Sequence, residues 1–429
     1  MDDGDARDIF SKGFSFLGIR TMGLLVGYIF TYLVARHYGA SVNGLVSLSF
    51  SLFLFVSIFG RLGIDINLVK FYSNELNWKA HKGLFFRVLL KAILISSVLA
   101  LLLYLTRGFF VNILFKKPQF EPYILWTVLA IPCWVVTLVC AGYLRAREHN
   151  KWFAFLNTPG RFAFAIPALL LMYYLKDDPL NAIIAHFYGV LLLALLSFIV
   201  VLRDTGTLTF RTGYNSWAFM REAFPMMISG AIIVFLGWMD TFVLGIFASD
   251  ETIGVYSVAL KVASLTSFSL QAINSILMPK IARNHQENKL TENRNLVRFS
   301  TSVNFAITLG IVIVIIVFRE WILGMFGAEF VAGTTILMIL CLGQVINSLS
   351  GSVGVILQMT GNQKLYQNIV LLALVLNIVF NLILTPIFGA TGTAVATVIS
   401  ISSWNILGAI YIKRKLDIDS FFNPFYYIK

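Results

Sequence analysis

The sequence predicts an all-α, polytopic membrane protein, with twelve transmembrane helices in two six-helix bundles related as parallel repeats. Three observations predict it. Residues 365–412 run for 48 positions without one Asp, Glu, Lys or Arg, more than twice the roughly 20 apolar residues that cross a bilayer core. The whole chain of 429 residues is 58% hydrophobic and only 13% charged, about half the charged share of soluble domains. A shift of 210 residues superposes the apolar runs of the first half on those of the second.

Taken in order, the apolar runs place spans at 14–35, 43–70, 86–106, 122–144, 160–175, 180–202, 223–247, 252–279, 297–318, 330–357, 365–386 and 390–412. All must be helical, because an open sheet edge cannot satisfy its backbone in lipid. The first follows Met1-Asp2-Asp3-Gly4-Asp5, an acidic start unlike a cleaved secretory signal, so the span is expected to stay. The last two are divided at Thr385-Pro386-Ile387-Phe388-Gly389-Ala390. No segment between spans is long enough for a separate soluble domain.

Lys and Arg in the loops orient the spans. With the N-terminus inside, the inner side holds 23 of the 33 basic residues. They include Lys70, Lys79 and Lys82 after span 2, Arg145, Arg147, Lys151 and Arg161 after span 4, and Lys280 to Arg298 after span 8. The outer side holds six: Arg36, Arg107, Lys116, Lys117, Lys176 and Arg319. Both termini are therefore expected in the cytoplasm. This asymmetry accounts for the net charge of +12 without a nucleic-acid partner.

The 210-residue shift lays Gly44-Leu45-Val46-Ser47 on Gly254-Val255-Tyr256-Ser257, and Phe120 on Phe330. Six spans per half is an even number, so both halves enter from the same side, as in parallel-repeat transporters. The expected division is an N-terminal bundle at 1–205, a cytoplasmic linker at 206–222 and a C-terminal bundle at 223–429. Rocking one bundle against the other is the physical basis for alternating access.

Ionisable groups at bilayer depth are functional candidates, because each costs roughly 2.5 kcal/mol or more. Arg20, Arg61, Asp65 and Lys91 form an inner-leaflet group, while Asp240 and Lys261 share a depth in the outer half. The structural readings are specific. Arg61 and Asp65 stand at i and i+4 and can pair. Lys91 can snorkel to the headgroups. Asp240 and Lys261 can neutralise each other. Arg20 has no carboxylate within one turn. The amides Gln271, Asn274, Asn304, Gln344, Asn347, Gln358, Asn377 and Asn381 can meet sugar hydroxyls or bridge helices. His186 can carry a proton. Cys133, Cys140 and Cys341 lie inside spans with neither a disulfide framework nor metal-ligand spacing, and no metal or cofactor is expected.

The segment Leu33-Val34-Ala35-Arg36-His37-Tyr38-Gly39 followed by Gly44 resembles the first-turn pattern of polysaccharide (O-antigen type) flippases. So do Asp240-Thr241-Phe242-Val243-Leu244-Gly245 with Gly254 to Ala259, Leu323-Gly324-Met325-Phe326-Gly327, Gly361-Asn362, and the ending Asn377, Asn381, Pro386 to Gly392. The resemblance to this branch of the multidrug/oligosaccharidyl-lipid/polysaccharide transporter superfamily covers the whole chain. It implies alternating access and an undecaprenyl-diphosphate-linked oligosaccharide moved from the inner to the outer leaflet of a bacterial plasma membrane. It implies surface polysaccharide or lipopolysaccharide synthesis, with a polymerase and glycosyltransferases as partners. Arg20, Arg61 and Lys261 would then meet the diphosphate, and Asp240 would couple an ion or pair with Lys261. The alternative is a multidrug and toxin extrusion antiporter, which would want an excess of cavity carboxylates; the intramembrane tally is four basic to two acidic. A membrane glycan polymerase or ligase is disfavoured, because the longest outer loop, 107–121, carries no acid/base pair or nucleophile constellation.

Overall fold

The computed structural model describes residues 3–423, with side chains at positions 18, 19 and 22–423. Among the described residues every regular element is helical. Eight helices among the described residues are long and apolar enough to cross a membrane, or ten when each of two bent pairs counts as one span. Two of the eight are far too long for one crossing. Met22–Arg61 has 40 residues and Gln363–Leu416 has 54, against about 20 needed. Each is broken at a glycine with positive φ, Gly39 (φ 82°) and Gly389 (φ 59°), a conformation that side chains with a Cβ resist. Counting each as two gives the twelve crossings expected from hydropathy.

The first compact unit comprises the chain to Tyr38 and residues 45–234. It contains most of α1 (Asp3–Arg61), then α2 (Ile64–Tyr72), α3 (Glu75–Ala80), α4 (Lys82–Leu105), α5 (Glu121–Ala146), α6 (Asn150–Asn157), α7 (Gly160–Leu175), α8 (Asn181–Thr205) and α9 (Ser216–Phe247) as far as Val234. Helix α5 is its centre and packs on α2, α4 and α8. Its close approach to α2 is set by Gly142, where a Cβ would overlap the Asp65 backbone.

A polar clamp ties the basic end of this unit together. Tyr143 Oη donates to Asp204 (2.7 Å) and accepts from Trp78 Nε1 (2.8 Å). His149 lies 2.9 Å from the same carboxylate. Arg147 stacks on Trp78 at 3.7 Å and bonds Glu75 at 2.6 Å, which holds the exposed Glu75 carboxyl below its ordinary range. Asp204→Ala should leave Tyr143 and His149 without their acceptor and cost about 1–3 kcal/mol, read as a lower melting temperature of the detergent-solubilised protein. An unchanged melt would show that the clamp is dispensable.

The second unit comprises residues 39–44 and 235–429. Beyond the end of α9 it contains α10 (Asp250–Ser264), α11 (Ser267–Gln286), α12 (Leu290–Val317), α13 (Arg319–Gly324), α14 (Thr334–Ser350), α15 (Val353–Met359) and α16 (Gln363–Tyr411). Helix α14 packs on α10, α12 and α16. Leu277, Ile281, Val297, Ile356 and Ile412 form an apolar core at the basic end.

Short elements confirm the 210-residue repeat. The π-helical turn Phe109–Leu114 corresponds to α13, Arg319–Gly324, and the 3₁₀ turn Pro118–Phe120 to the one beginning at Ala328. Phe120 and Phe330 are both fully buried. Within the second unit the equivalent segments meet reciprocally. A Cβ on Gly44 would overlap the Asp250 carbonyl, and a Cβ on Gly254 would overlap the Ala40 carbonyl; the two contacts are related by the same shift. Asn43 Nδ2 secures the junction by donating to Ser257 Oγ (2.9 Å) and to the Gly254 carbonyl (3.2 Å).

Several spans depart from the hydropathy reading, among them span 8, bent by 44° between α10 and α11, and span 10, broken at Gly351. Span 2, expected at 43–70, is interrupted after Arg61, where Leu62 and Gly63 take positive φ. Span 5, expected at 160–175, begins earlier: α6 and α7 form one candidate span bent by 50°. The break lies at Thr158-Pro159, where proline cannot continue the hydrogen-bond ladder. Arg161, counted above on the inner side although it is the second residue of the expected span, therefore lies about ten residues into the bent span and not at its edge.

Candidate functional site

Arg61 ends α1 in the first unit and pairs with Asp65 of α2 at 2.8 Å, the two side chains 15% and 14% exposed. Any anion reaching Arg61 must compete with this carboxylate. The second oxygen of Asp65, Oδ1, is buried without a hydrogen bond. Asp65 also lines a cavity of about 490 Å³, with Lys70, Arg145 and Asn157 as further polar walls and Val69, Leu138 and Met226 as apolar ones. Lys91, on α4, has a different role. Its Nζ donates to Ser216 Oγ (2.7 Å) and sits 3.8 Å over the Trp217 ring, which accounts for its burial without a ligand. Arg20 lies outside the described side chains.

In the second unit, Lys261 is partly buried in the last turn of α10, just before the 44° bend into α11. Asp240 sits in α9, 4% exposed, and its partners are all neutral. Asn377 Nδ2 (3.0 Å) and Asn381 Nδ2 (2.8 Å) donate to Oδ1, while Tyr256 Oη (2.8 Å) and Thr397 Oγ1 (2.5 Å) donate to Oδ2. Four donors on one carboxylate compensate its burial. Asn377 Oδ1 is buried without a partner, and Asn381 Oδ1 accepts from Thr385 at 3.3 Å.

This arrangement can exist in more than one state. Hydroxyls rotate and amides turn over, so the cluster can satisfy an ionised carboxylate, a protonated one, or a hard cation held by carboxylate, amide and hydroxyl oxygens. Groups of three or more His, Cys, Asp or Glu able to hold a metal are absent among the described residues. The oxygen set suits an alkali cation or a proton instead.

The remaining amides mostly bridge or brace helices. Asn304 accepts from Ser269 (2.9 Å), Asn347 from Asn405 (3.0 Å), Gln271 reaches Ser267 (3.3 Å) and Gln358 the Gly354 carbonyl (3.0 Å). Sequence reasoning missed the joining of Tyr256 and Thr397 to Asp240, and the depth of Arg161. The proline at 159, inside a run extending from 150 to 175, was the available signal for the latter.

Comparison with known proteins places this geometry. The family model described as polysaccharide biosynthesis protein matches residues 10–285, and the MatE model matches residues 225–383. A probable low-salt glycan biosynthesis flippase of Haloferax volcanii, Agl15, is 29% identical over 185 residues, 43% of this chain. The probable flippase AglR of the same organism is 26% identical over 189 residues, 40% of this chain. The chain spans 39% and 36% of the lengths of these two relatives. Among solved structures, the lipid II flippase MurJ in an inward closed conformation superposes with a TM-score of 0.77 at 15% identity, over 92% of this chain and 87% of that one. An inward-facing MATE family multidrug transporter superposes with 0.76 at 15% identity, over 94% and 98%. The likeness to these two structures is one of fold; with well over half its length matched by one family model, the chain belongs to the polysaccharide biosynthesis protein family.

Proposed function

We propose that this protein moves a lipid-linked oligosaccharide from the inner to the outer leaflet of its membrane by alternating access. The observation that carries the reading is family membership over residues 10–285 on a multi-pass frame built as two repeats. The finer reading is an undecaprenyl-diphosphate carrier in a bacterial plasma membrane, with both termini cytoplasmic. The bundles 1–205 and 223–429 move about the 206–222 linker, and a polymerase and glycosyltransferases act on either side. Arg20, Arg61 and Lys261 are the proposed contacts for the diphosphate, because guanidinium and ammonium groups bond phosphate oxygens with charge assistance. The chain acts as a transporter and not as an enzyme.

Asp240 is the proposed coupling residue: a cation or proton binding there changes which hydrogen bonds hold α9, α10 and α16 together. The same cluster supports the second reading, a cation-coupled antiporter of the multidrug and toxin extrusion type, since the MatE match contains Asp240, Asn377 and Asn381.

Depletion of the protein in its native host, followed by mass spectrometry of extracted lipid-linked glycans, separates the two. Accumulation of a polyprenyl-linked oligosaccharide confined to the inner leaflet is the expected result, and its mass identifies carrier and repeat unit. Unchanged glycan pools with new sensitivity to cationic drugs would select the antiporter.

A further inference from the structure

The first unit holds a basic pair that the transport reading does not use. Arg161 is the second residue of α7, just past the broken turn at Thr158-Pro159. Its guanidinium lies over three aromatic rings, Phe162 at 4.5 Å, Trp134 at 5.3 Å and Phe50 at 5.7 Å. Its Nη1 is buried with no hydrogen-bond partner, and no ion pair to a carboxylate is found for it among the described residues. His186 of α8 is 1% exposed, and its Nε2 also lacks a partner. The imidazole packs on Phe50 (4.4 Å), Phe53 (5.2 Å) and Phe162 (6.2 Å). Arg161 and His186 therefore share the faces of Phe50 and Phe162.

A guanidinium stays charged at any physiological pH and presents a planar fork of donors. Aromatic faces attract the charge but offer no oxygen to its N–H groups. The start of α7 adds partial positive charge at the same place, and membrane transporters direct such interrupted-helix N-termini at anionic groups. What would complete this box is an anion with at least two acceptor oxygens. The second unit is of opposite character. Under the 210-residue shift Arg161 falls on Leu371 and His186 on Ala396, the neighbour of Thr397, which bonds Asp240. One repeat has a carboxylate held by four donors, the other an unpartnered guanidinium N–H beside an unpartnered imidazole nitrogen.

We propose that Arg161 and His186 form an anion site in the first unit that takes a phosphate-class oxyanion. That chemistry is common to the head of a polyprenyl diphosphate and to free phosphate or pyrophosphate. The site does not depend on the flippase reading, since a free anion could occupy it in either transporter.

The test uses the full-length protein in detergent and phosphate-free gluconate buffer, titrated separately with inorganic phosphate, pyrophosphate and undecaprenyl diphosphate. Melting temperature and tryptophan fluorescence are the readouts, with Trp134→Phe identifying the reporter beside Arg161. A saturable shift is expected, weakened at least tenfold by Arg161→Gln and less by Arg161→Lys. Without anion, Arg161→Gln should melt at or above the wild-type temperature, because it removes a charge that lacks a counter-charge. A response to pyrophosphate and to the lipid diphosphate alike assigns the site to the cargo head; a response to the free anions alone assigns it to a soluble anion. No shift, or equal shifts in wild type and Arg161→Gln, overturns the proposal. So does an anion-free Arg161→Gln protein that melts well below wild type, since the guanidinium would then already be satisfied within the fold. None of these outcomes bears on the depletion experiment, so the two readings fail separately.

Discussion

Asp240→Ala is expected to abolish both stable folding of the second unit and transport, whereas Asp240→Asn is expected to abolish cation dependence alone. The carboxylate accepts from Asn377, Asn381, Tyr256 and Thr397. Alanine leaves four buried donors without an acceptor, at roughly 1–3 kcal/mol for each group that finds no substitute. Thr397 Oγ1 also lies 3.0 Å from the Thr393 carbonyl, so its one hydroxyl hydrogen can turn there and recover part of the loss. A net cost of about 3 kcal/mol or more remains, enough to remove most folded protein from a marginally stable chain. Asparagine keeps the shape and one acceptor oxygen, so its melting temperature should stay within a few degrees of wild type. It lacks the negative charge, so sodium or acid should no longer shift its melt or, under the proposed function, its rate of glycan export. Measurement of both variants across sodium concentration and pH decides the matter. An Asp240→Asn protein with wild-type export and an undiminished cation response would reduce Asp240 to a structural residue.

The second large effect is expected at the reciprocal glycines. Gly44 and Gly254 each stand where a single added carbon would overlap a backbone carbonyl, that of Asp250 and that of Ala40. Neither obstacle is the free end of a side chain, so relief requires a shift of the backbone itself. Overpacking costs about 1–3 kcal/mol or more. A shift would also loosen the Asn43 bonds to Gly254 and Ser257. Gly254→Ala should therefore yield little inserted, monodisperse protein by size-exclusion chromatography, and Gly44→Ala should behave alike. Gly310→Ala provides the control: it lies within α12 with nothing near its absent Cβ, and alanine favours helix over glycine by roughly 1 kcal/mol. Equal yields for Gly254→Ala and Gly310→Ala would show that the junction can open without cost.

What the sequence determined by itself is what adds up along the chain. Apolar length, loop charge and the 210-residue shift are sums over neighbours, and they were enough for helical class, twelve crossings and the doubled frame. The equivalent turns at 109–114 and 319–324 follow that frame closely. What tertiary structure decided is which groups meet. Depth alone allowed Asp240 to pair with Lys261. Its partners instead come from α10 and from two stretches of α16, between 16 and 157 residues away. No local rule selects Thr397 over the other hydroxyls of the last span; the helix face that packs on α9 selects it. Arg61 and Asp65 lie one turn apart, so their pairing was legible as a local option. Arg161 shows the opposite case. It stands at the edge of the expected span, and only the bend at the proline sets its guanidinium among Phe50, Trp134 and Phe162; a break changes direction in three dimensions while leaving the hydropathy of the run almost unchanged.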